Sequence, residues 1–400
     1  MRILFVTSEA FPLIKTGGLA DVSGSLPAAL KQVKIEKAKA DVRILIPAYP
    51  AVLEKLENQS QLTTISNLPN IGAVNIILGT MPETGVSVMA IQAPSLYERA
   101  GGPYVNENGK DWEDNPIRFG TLSLVAAILS AEDSPLQDWV PDIVHCNDWQ
   151  TGLTPAYMHF MHKSRPQIKQ AKSVLSIHNL AFQGCYSSDW VGRLGLPAES
   201  FQIDGLEYYG QLSFLKAGIF YANGLSTVSP TYGKEIQTEA YGFGLQGLLT
   251  QRGHEIHGIL NGLDTQEWNP ATDPYLTHHY DAKKLAGKTK VKADLQESLG
   301  LSVNAQTPLL GVVSRLTHQK GLDMLLECAE TLIQQHQCQL AVLGSGEKSF
   351  EEGFKALASK FPKQVSTTIG YNEQLSHQIM AGCDIFIMPS RFEPCGLNQM

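Results

Sequence analysis

Two stretches place a lysine beside glycine where a strand gives way to a helix. The first is K-T-G-G-L-A-D at 15–21. Glycines such as Gly17 and Gly18 let the backbone approach a ligand closely, and the N–H groups of a helix start attract anions. Lys15 adds a full positive charge. No G-x-x-x-x-G-K-[ST] is present, so this is not a P-loop. The second is S-R-L-T-H-Q-K-G at 314–321, in which Arg315 and Lys320 follow an apolar strand and can be aimed at one diphosphate. Fixed cations stabilise the charge that builds on a departing nucleoside diphosphate, with no metal required. Taken singly, each stretch reads first as a plain turn with solvated cations. Its appearance once in each half of the chain favours the phosphate reading.

Other polar groups follow apolar strands, at the carboxyl ends where open α/β sheets bind ligands. His178-Asn179 can hydrogen-bond sugar hydroxyls, or His178 can satisfy backbone at a sheet edge. Asn147-Asp148-Trp149 is placed in the same way, with helix capping by Asp148 as the alternative. In Glu393-Pro394-Cys395-Gly396 a carboxylate can grip sugar hydroxyls while Gly396 and Leu397 offer backbone N–H groups to phosphate. Cys395 reads as a small packing residue, since no base stands near it in sequence. Tyr371, in I-G-Y-N-E, can stack on a base or simply pack. Spacing does not single out a hydrolytic carboxylate pair among 39 acids.

The elements that must position these groups are strand-length apolar runs at 3–6, 42–46, 74–78, 143–145, 173–177, 309–313, 340–343 and 385–388, alternating with helix-period stretches. Such alternation predicts α/β architecture, with parallel strands covered on both faces. A chain of 400 residues predicts two domains. The interval from Gly262 to Pro308 has no strand but contains a Lys-rich helix expected between Lys283 and Leu299. The boundary is therefore placed near residue 255, giving domains 1–254 and 255–400, with a strand at His257–Leu260 opening the second. The last residues, R-F-E-P-C-G-L-N-Q-M, read as a loop turning into a helix, so the second sheet is expected to lack its final βα units.

The formal charge of −8 is a poor field for attracting nucleic acid. Six scattered cysteines form no C-x-x-C pair or metal-ligand spacing, which suggests reduced thiols in a cytoplasmic protein. The N-terminus has no signal-peptide pattern, and no apolar stretch reaches the roughly 20 residues that span a bilayer. No membrane partner is expected.

Taken in order, K-T-G-G-L-A-D-V at 15–22, H-N-L-A-F-Q-G at 178–184, S-P-T-Y at 229–232, N-G-L-D at 261–264, S-R-L-T-H-Q-K-G at 314–321 and S-R-F-E-P-C-G-L at 390–397 resemble the bacterial glycogen synthase and plant starch synthase family, glycosyltransferase family 5. The resemblance implies a GT-B fold: two doubly wound Rossmann-like domains facing across a cleft, the second incomplete at its C-terminus. It implies retaining transfer of glucose from ADP-glucose to an α-1,4-glucan such as glycogen, with no cofactor and no metal. Arg315 and Lys320 would hold the diphosphate with help from Cys395, Gly396 and Leu397, while Lys15, Gly17 and Gly18 approach from the other domain. Asp21, His178, Asn179 and Glu393 would surround the glucose, Asn261 would lie at the cleft-side hinge, and Tyr371 would stack on adenine. Tyr97 and Asp148 fall where similar enzymes touch the acceptor.

Asn147, Gln150 and Asn398 depart from the family pattern, the first two where histidine is frequent. The expected absence of C-terminal segments predicts little activity for the 400-residue form. Another retaining GT-B nucleotide-sugar transferase and a non-catalytic glucan-binding relative are the alternatives. The latter would not need cations placed for a diphosphate. Sequence leaves the oligomeric state open.

Overall fold

Apolar runs with no polar face make strands that are buried on both sides, and the first unit is built on them. The computed structural model describes residues 1–35, 38–136 and 138–400. It divides into two compact units, Met1–Gly262 and Leu263–Met400.

In the first unit the described residues form a nine-stranded sheet. Its strands in chain order are β1 (Arg2–Val6), β2 (Asp41–Pro47), β3 (Glu57–Leu68), β4 (Gly72–Thr80), β5 (Ser87–Gln92), β6 (Ile143–Asn147), β7 (Lys172–Ile177), β8 (Gly224–Thr227) and β9 (Ile256–Gly258). Across the sheet they run β9-β8-β7-β6-β1-β2-β5-β4-β3. The seven from β9 to β5 are parallel. Leu4, Phe5, Val6, Ile44, Leu45 and Ile46 have no exposed surface, as the central strands of such a sheet require. Helices α1 (Gly18–Gln32), α2 (Asn115–Leu129) and α3 (Leu153–Ser164) follow β1, β5 and β6.

Two expectations are corrected here. The apolar run at 74–78 lies in β4, which pairs antiparallel with both β3 and β5. Its partner β3 is polar and largely exposed, so it gives no apolar-run signal, and a covered parallel strand could not be told from half of a hairpin. The strand near 257 does not open the second domain. Its residues pair in parallel with β8, Leu225 opposite Ile256, so backbone hydrogen bonding makes it the edge of the first sheet and the division falls after Gly262. A strand of three residues says nothing in sequence about which sheet will accept it.

The second unit carries β10 (Leu309–Val313), β11 (Gln339–Gly344), β12 (Val365–Ile369) and β13 (Ile385–Phe386), all parallel, in the order β12-β11-β10-β13. Its helices are α4 (Ala286–Ser298), α5 (Leu322–Gln335), α6 (Lys348–Lys360) and α7 (Glu373–Gly382). Leu322, Leu325, Ala329 and Ile333 form the apolar stripe of α5, spaced three and four apart, and pack with Val312, Leu340 and Phe354.

Candidate active site

Each sheet reverses its winding once. In the first, the chain moves outward from β1 through β2 to β5, then resumes on the other side of β1 with β6. In the second, it moves from β10 to β12 and returns beside β10 with β13. Crevices beyond the carboxyl ends of the strands at such reversals are where open α/β sheets bind ligands.

At the first reversal, β1 leads into Thr7-Ser8-Glu9. Glu9 is 3% exposed and accepts hydrogen bonds from the backbone N–H groups of Thr16 at 2.6 Å and Gly17 at 3.2 Å, from the Thr16 hydroxyl at 2.8 Å and from the Tyr104 hydroxyl at 2.7 Å. Burial pushes its carboxyl up from the usual range, and these donors oppose the shift. The lysine-glycine turn is thus hung on one buried acid. A Cβ at Gly24 would stand 2.3 Å from the Phe11 carbonyl oxygen, so only glycine lets α1 pack this closely under the turn. Lys15 forms a 2.8 Å ion pair with Asp21 in the first turn of α1, which places both beside Gly17 and Gly18.

β6 ends in Asn147, followed by Asp148 at φ 59°. Asp148 Oδ1 accepts the N–H groups of His178 at 3.0 Å and Asn179 at 3.3 Å. Burial raises its pKa to about 7, against the pull of those two bonds. The side chain does not cap the following helical turn. This carboxylate is 7% exposed and holds the loop after β7 in place. Asn147 is fully buried and donates through Nδ2 to the carbonyls of Val6 at 3.0 Å and His145 at 3.3 Å. Its Oδ1 therefore faces His178 Nε2, 3.0 Å away, and can only accept, which puts the ring proton on Nε2. Burial, then the nearby His145, lower the His178 pKa to about 3, so the ring is neutral near pH 7.

Tyr97 is 1% exposed, its hydroxyl donates to the Arg118 carbonyl at 2.6 Å, and its ring meets Tyr49 edge-on at 5.7 Å. It backs the wall of a cavity of about 440 Å³ that Trp112, Arg99 and Gly101 also line. Sequence shows an aromatic after a strand but not whether the ring turns inward. Asn261 donates its N–H to the Val228 carbonyl at 3.3 Å, near the end of the first unit.

At the second reversal, Lys320 and Glu393 are ion-paired, with side chains 15% and 13% exposed. Ser390 Oγ donates to the same Glu393 oxygen at 2.8 Å. Gln319 donates through Nε2 to the Phe392 carbonyl at 3.3 Å and accepts the Arg391 N–H at 2.9 Å. Gly321 has φ 66°, and a Cβ there would lie 2.0 Å from the Pro389 oxygen. These contacts bind the loops after β10 and β13 into one assembly. Arg315 is exposed on the first of them. Arg391 forms a double bridge to Asp323 at 2.7 and 2.6 Å, whose hydrogen bonds hold the Asp323 carboxyl well below the usual range.

Tyr371 is 60% exposed, between Gly370 and the Asn372 side chain that caps α7 by accepting the Leu375 N–H. Cys395 is half-buried. Gly396 and Leu397 begin a three-residue turn, Leu397–Gln399, and Asn398 Nδ2 donates to the Val313 carbonyl at 2.9 Å.

The structure therefore brings together Lys15, Gly17, Gly18 and Asp21; separately Asp148, His178 and Asn179; and, in the second unit, Lys320 and Glu393 with Arg315 on a shared loop. Glu9, Tyr104 and the orienting role of Asn147 escape a reading of sequence. The one signal for Glu9 is that polar residues follow β1 immediately.

Comparison with known proteins identifies the family. The family model for the starch synthase catalytic domain matches residues 2–251, and that for glycosyl transferases group 1 matches 299–400. The chain is 52% identical to a glycogen synthase of Nitrosomonas eutropha, covering all of this chain and 78% of that protein. It is 51% identical to a glycogen synthase of Dechloromonas aromatica, covering 79% of that protein. The catalytic domain of starch synthase IV from Arabidopsis thaliana, solved bound to ADP and acarbose, superposes with a TM-score of 0.87 at 32% identity, over 99% of this chain and 80% of that one. The chain has the GT-B fold and belongs to the glycogen and starch synthase family of glycosyltransferases.

Proposed function

We propose that this protein transfers glucose from ADP-glucose to the non-reducing end of an α-1,4-glucan with retention at the anomeric carbon, and that it does so in the cytoplasm. The observation that carries the reading is the Lys320–Glu393 pair at a winding reversal, on loops stitched by Gln319, Ser390 and Arg391. One member is a cation for the diphosphate and the other a carboxylate for glucose hydroxyls. The ADP in the starch synthase IV neighbour and the glycogen synthase relatives support the nucleotide and the polymer.

In this reading Arg315 and Lys320 stabilise charge on the departing ADP, joined by the Gly396 and Leu397 N–H groups, with Cys395 packing beside them. Lys15, Gly17 and Gly18 form the first unit's anion-facing turn. Asp21, Asn179 and the neutral His178 hydrogen-bond the sugar, Asn261 lies at the hinge and Tyr371 stacks on adenine. The acceptor 4-hydroxyl oxygen forms the new bond to C1 on the face from which the C1–O bond to phosphate breaks. The electron pair of that bond leaves with ADP, and the hydroxyl proton passes to a phosphate oxygen. No enzyme nucleophile, metal or cofactor takes part.

The test is glucosyl transfer to glycogen by the intact protein, with ADP-glucose and UDP-glucose as donors. Transfer from ADP-glucose should dominate. Lys320→Ala should lower kcat by roughly 10²–10³-fold, the range for losing one charge-stabilising donor. Transfer unaffected by Lys320→Ala, or a glucosyl-enzyme adduct trapped on a side chain, would overturn the reading.

A further inference from the structure

The segment between β9 and α4, residues 259–285, holds no helix or strand among the described residues. Loops of this length without structure of their own are uncommon in a compact domain, so something must pin it. Part of the answer is hydrogen bonding to α7 and its end: the Tyr280 hydroxyl donates to the Ala381 carbonyl at 2.9 Å, and Gln378 Nε2 donates to the Tyr275 carbonyl at 3.2 Å.

The rest centres on His377. The ring is 1% exposed, its Nδ1 stands 2.7 Å from Asp273 Oδ2, and the Trp268 indole stacks on it at 3.8 Å with the planes 10° apart. Nε2 is buried and makes no hydrogen bond. It points toward Glu373, four residues earlier on α7, whose Oε1 is 3.4 Å away. Glu267, from the unstructured segment, completes a trio whose donor atoms all lie within 4.8 Å of one another.

The 3.4 Å separation bears on the nature of the site. An imidazolium N–H donating to a carboxylate contracts to about 2.7–2.9 Å. Two donors on one tetrahedral zinc ion, each at about 2.0–2.1 Å, stand about 3.3 Å apart. The Asp273 contact at Nδ1 is the carboxylate-histidine arrangement that orients a metal-bound imidazole. Burial lowers the ring's pKa, but Glu373 and Asp273 together outweigh it and raise it, so the ion takes Nε2 by displacing its proton. Trp268 supplies the apolar wall that such sites carry.

We propose that Glu267, Glu373 and His377 bind a divalent cation of the zinc type, oriented by Asp273, and that the ion clips the segment after Gly262 onto α7. One nitrogen and two carboxylates suit zinc better than magnesium or calcium, which favour all-oxygen sets. The site is structural and independent of the transfer reaction. Because α7 begins two residues after Tyr371, the clip also steadies the base of that exposed ring.

The experiment uses the whole chain, stripped with a chelator and titrated with zinc chloride by calorimetry and by thermal melting. One zinc per chain is expected, with Tm rising by a few degrees as zinc exceeds its Kd. Glu267→Gln, at a half-exposed position, should weaken zinc binding at least about tenfold, the low end of the loss measured even for groups outside the ligand shell. His377→Gln should abolish it. Cobalt(II) in the native chain should show a d–d spectrum that Glu267→Gln changes. Absence of zinc binding by the native chain would overturn the proposal, and so would zinc held equally well by Glu267→Gln, which would leave surface histidines as the binders. Should His377→Gln fail to fold, Glu267→Gln alone decides.

Discussion

Asp148 grips His178 through the backbone: its Oδ1 lies 3.0 Å from the His178 amide nitrogen, at a position where Asp148 itself adopts φ 59°. The acid at the end of β6 thus sets the path of the chain as it leaves β7. The imidazole is oriented separately, by Asn147. Two neighbouring residues on one strand end therefore divide the positioning of the same histidine between its backbone and its ring.

The pair has opposing pH signatures. The Asp148 pKa is raised in the folded protein from 3.8 to about 7, so the folded state holds a proton that the unfolded state has released, and this contribution to stability falls as pH rises through that window. The His178 pKa is lowered from 6.5 to about 3, so its contribution rises with pH between those values. The two slopes offset each other over about pH 4–6.5. Asp148→Asn should remove one of them, and urea unfolding should then show stability falling more steeply on acidification than in the native protein. An unchanged slope would place the proton elsewhere.

Glu393→Gln should separate the roles of the carboxylate. Lys320 loses its counter-charge, so ADP binding, measured by calorimetry, should tighten by about fivefold, about 1 kcal/mol. Glucose transfer should fall at the same time, because the amide is a poorer partner for the sugar hydroxyls. Weaker binding of ADP would mean that the ion pair holds Lys320 in its productive position.

Gly321→Ala should destabilise the protein by at least about 2 kcal/mol, since a left-handed residue with a Cβ costs about 1–2 kcal/mol before any clash. Here the clash is with the Pro389 carbonyl. Chemical denaturation measures the loss, and relief of the clash should part the loops after β10 and β13 and weaken ADP binding. Gly17→Ala, where a Cβ meets nothing within 4 Å, serves as the tolerant comparison for stability.

Tyr371→Ala should weaken ADP binding by about 1–3 kcal/mol, the range for losing an aromatic platform under a base. Tyr371→Phe should retain most of it. Neither should move the melting temperature, because the ring is 60% exposed.

Much of this protein was legible in its residues. Continuous Val, Ile and Leu runs marked the strands because both faces of a central strand are buried, but they did not tell parallel from antiparallel pairing at β4. Polar β3 left no such trace, and short β9 was visible as a strand but not as part of the first sheet. The lysine-glycine turns and the His178 and Glu393 loops were visible because glycine and charge after an apolar run need a reason to be there. The direction in which a side chain points was not visible. Tyr97 turned into the core, Asp148 turned toward backbone N–H groups, and Glu9 became the anchor of a turn six residues further on. Each of those outcomes depends on what another segment brings within about 3 Å, which local propensity does not encode. Residue types and their order determined the family, the α/β elements and the candidate cations; only tertiary packing decided which polar groups face a ligand and which hold those groups in place.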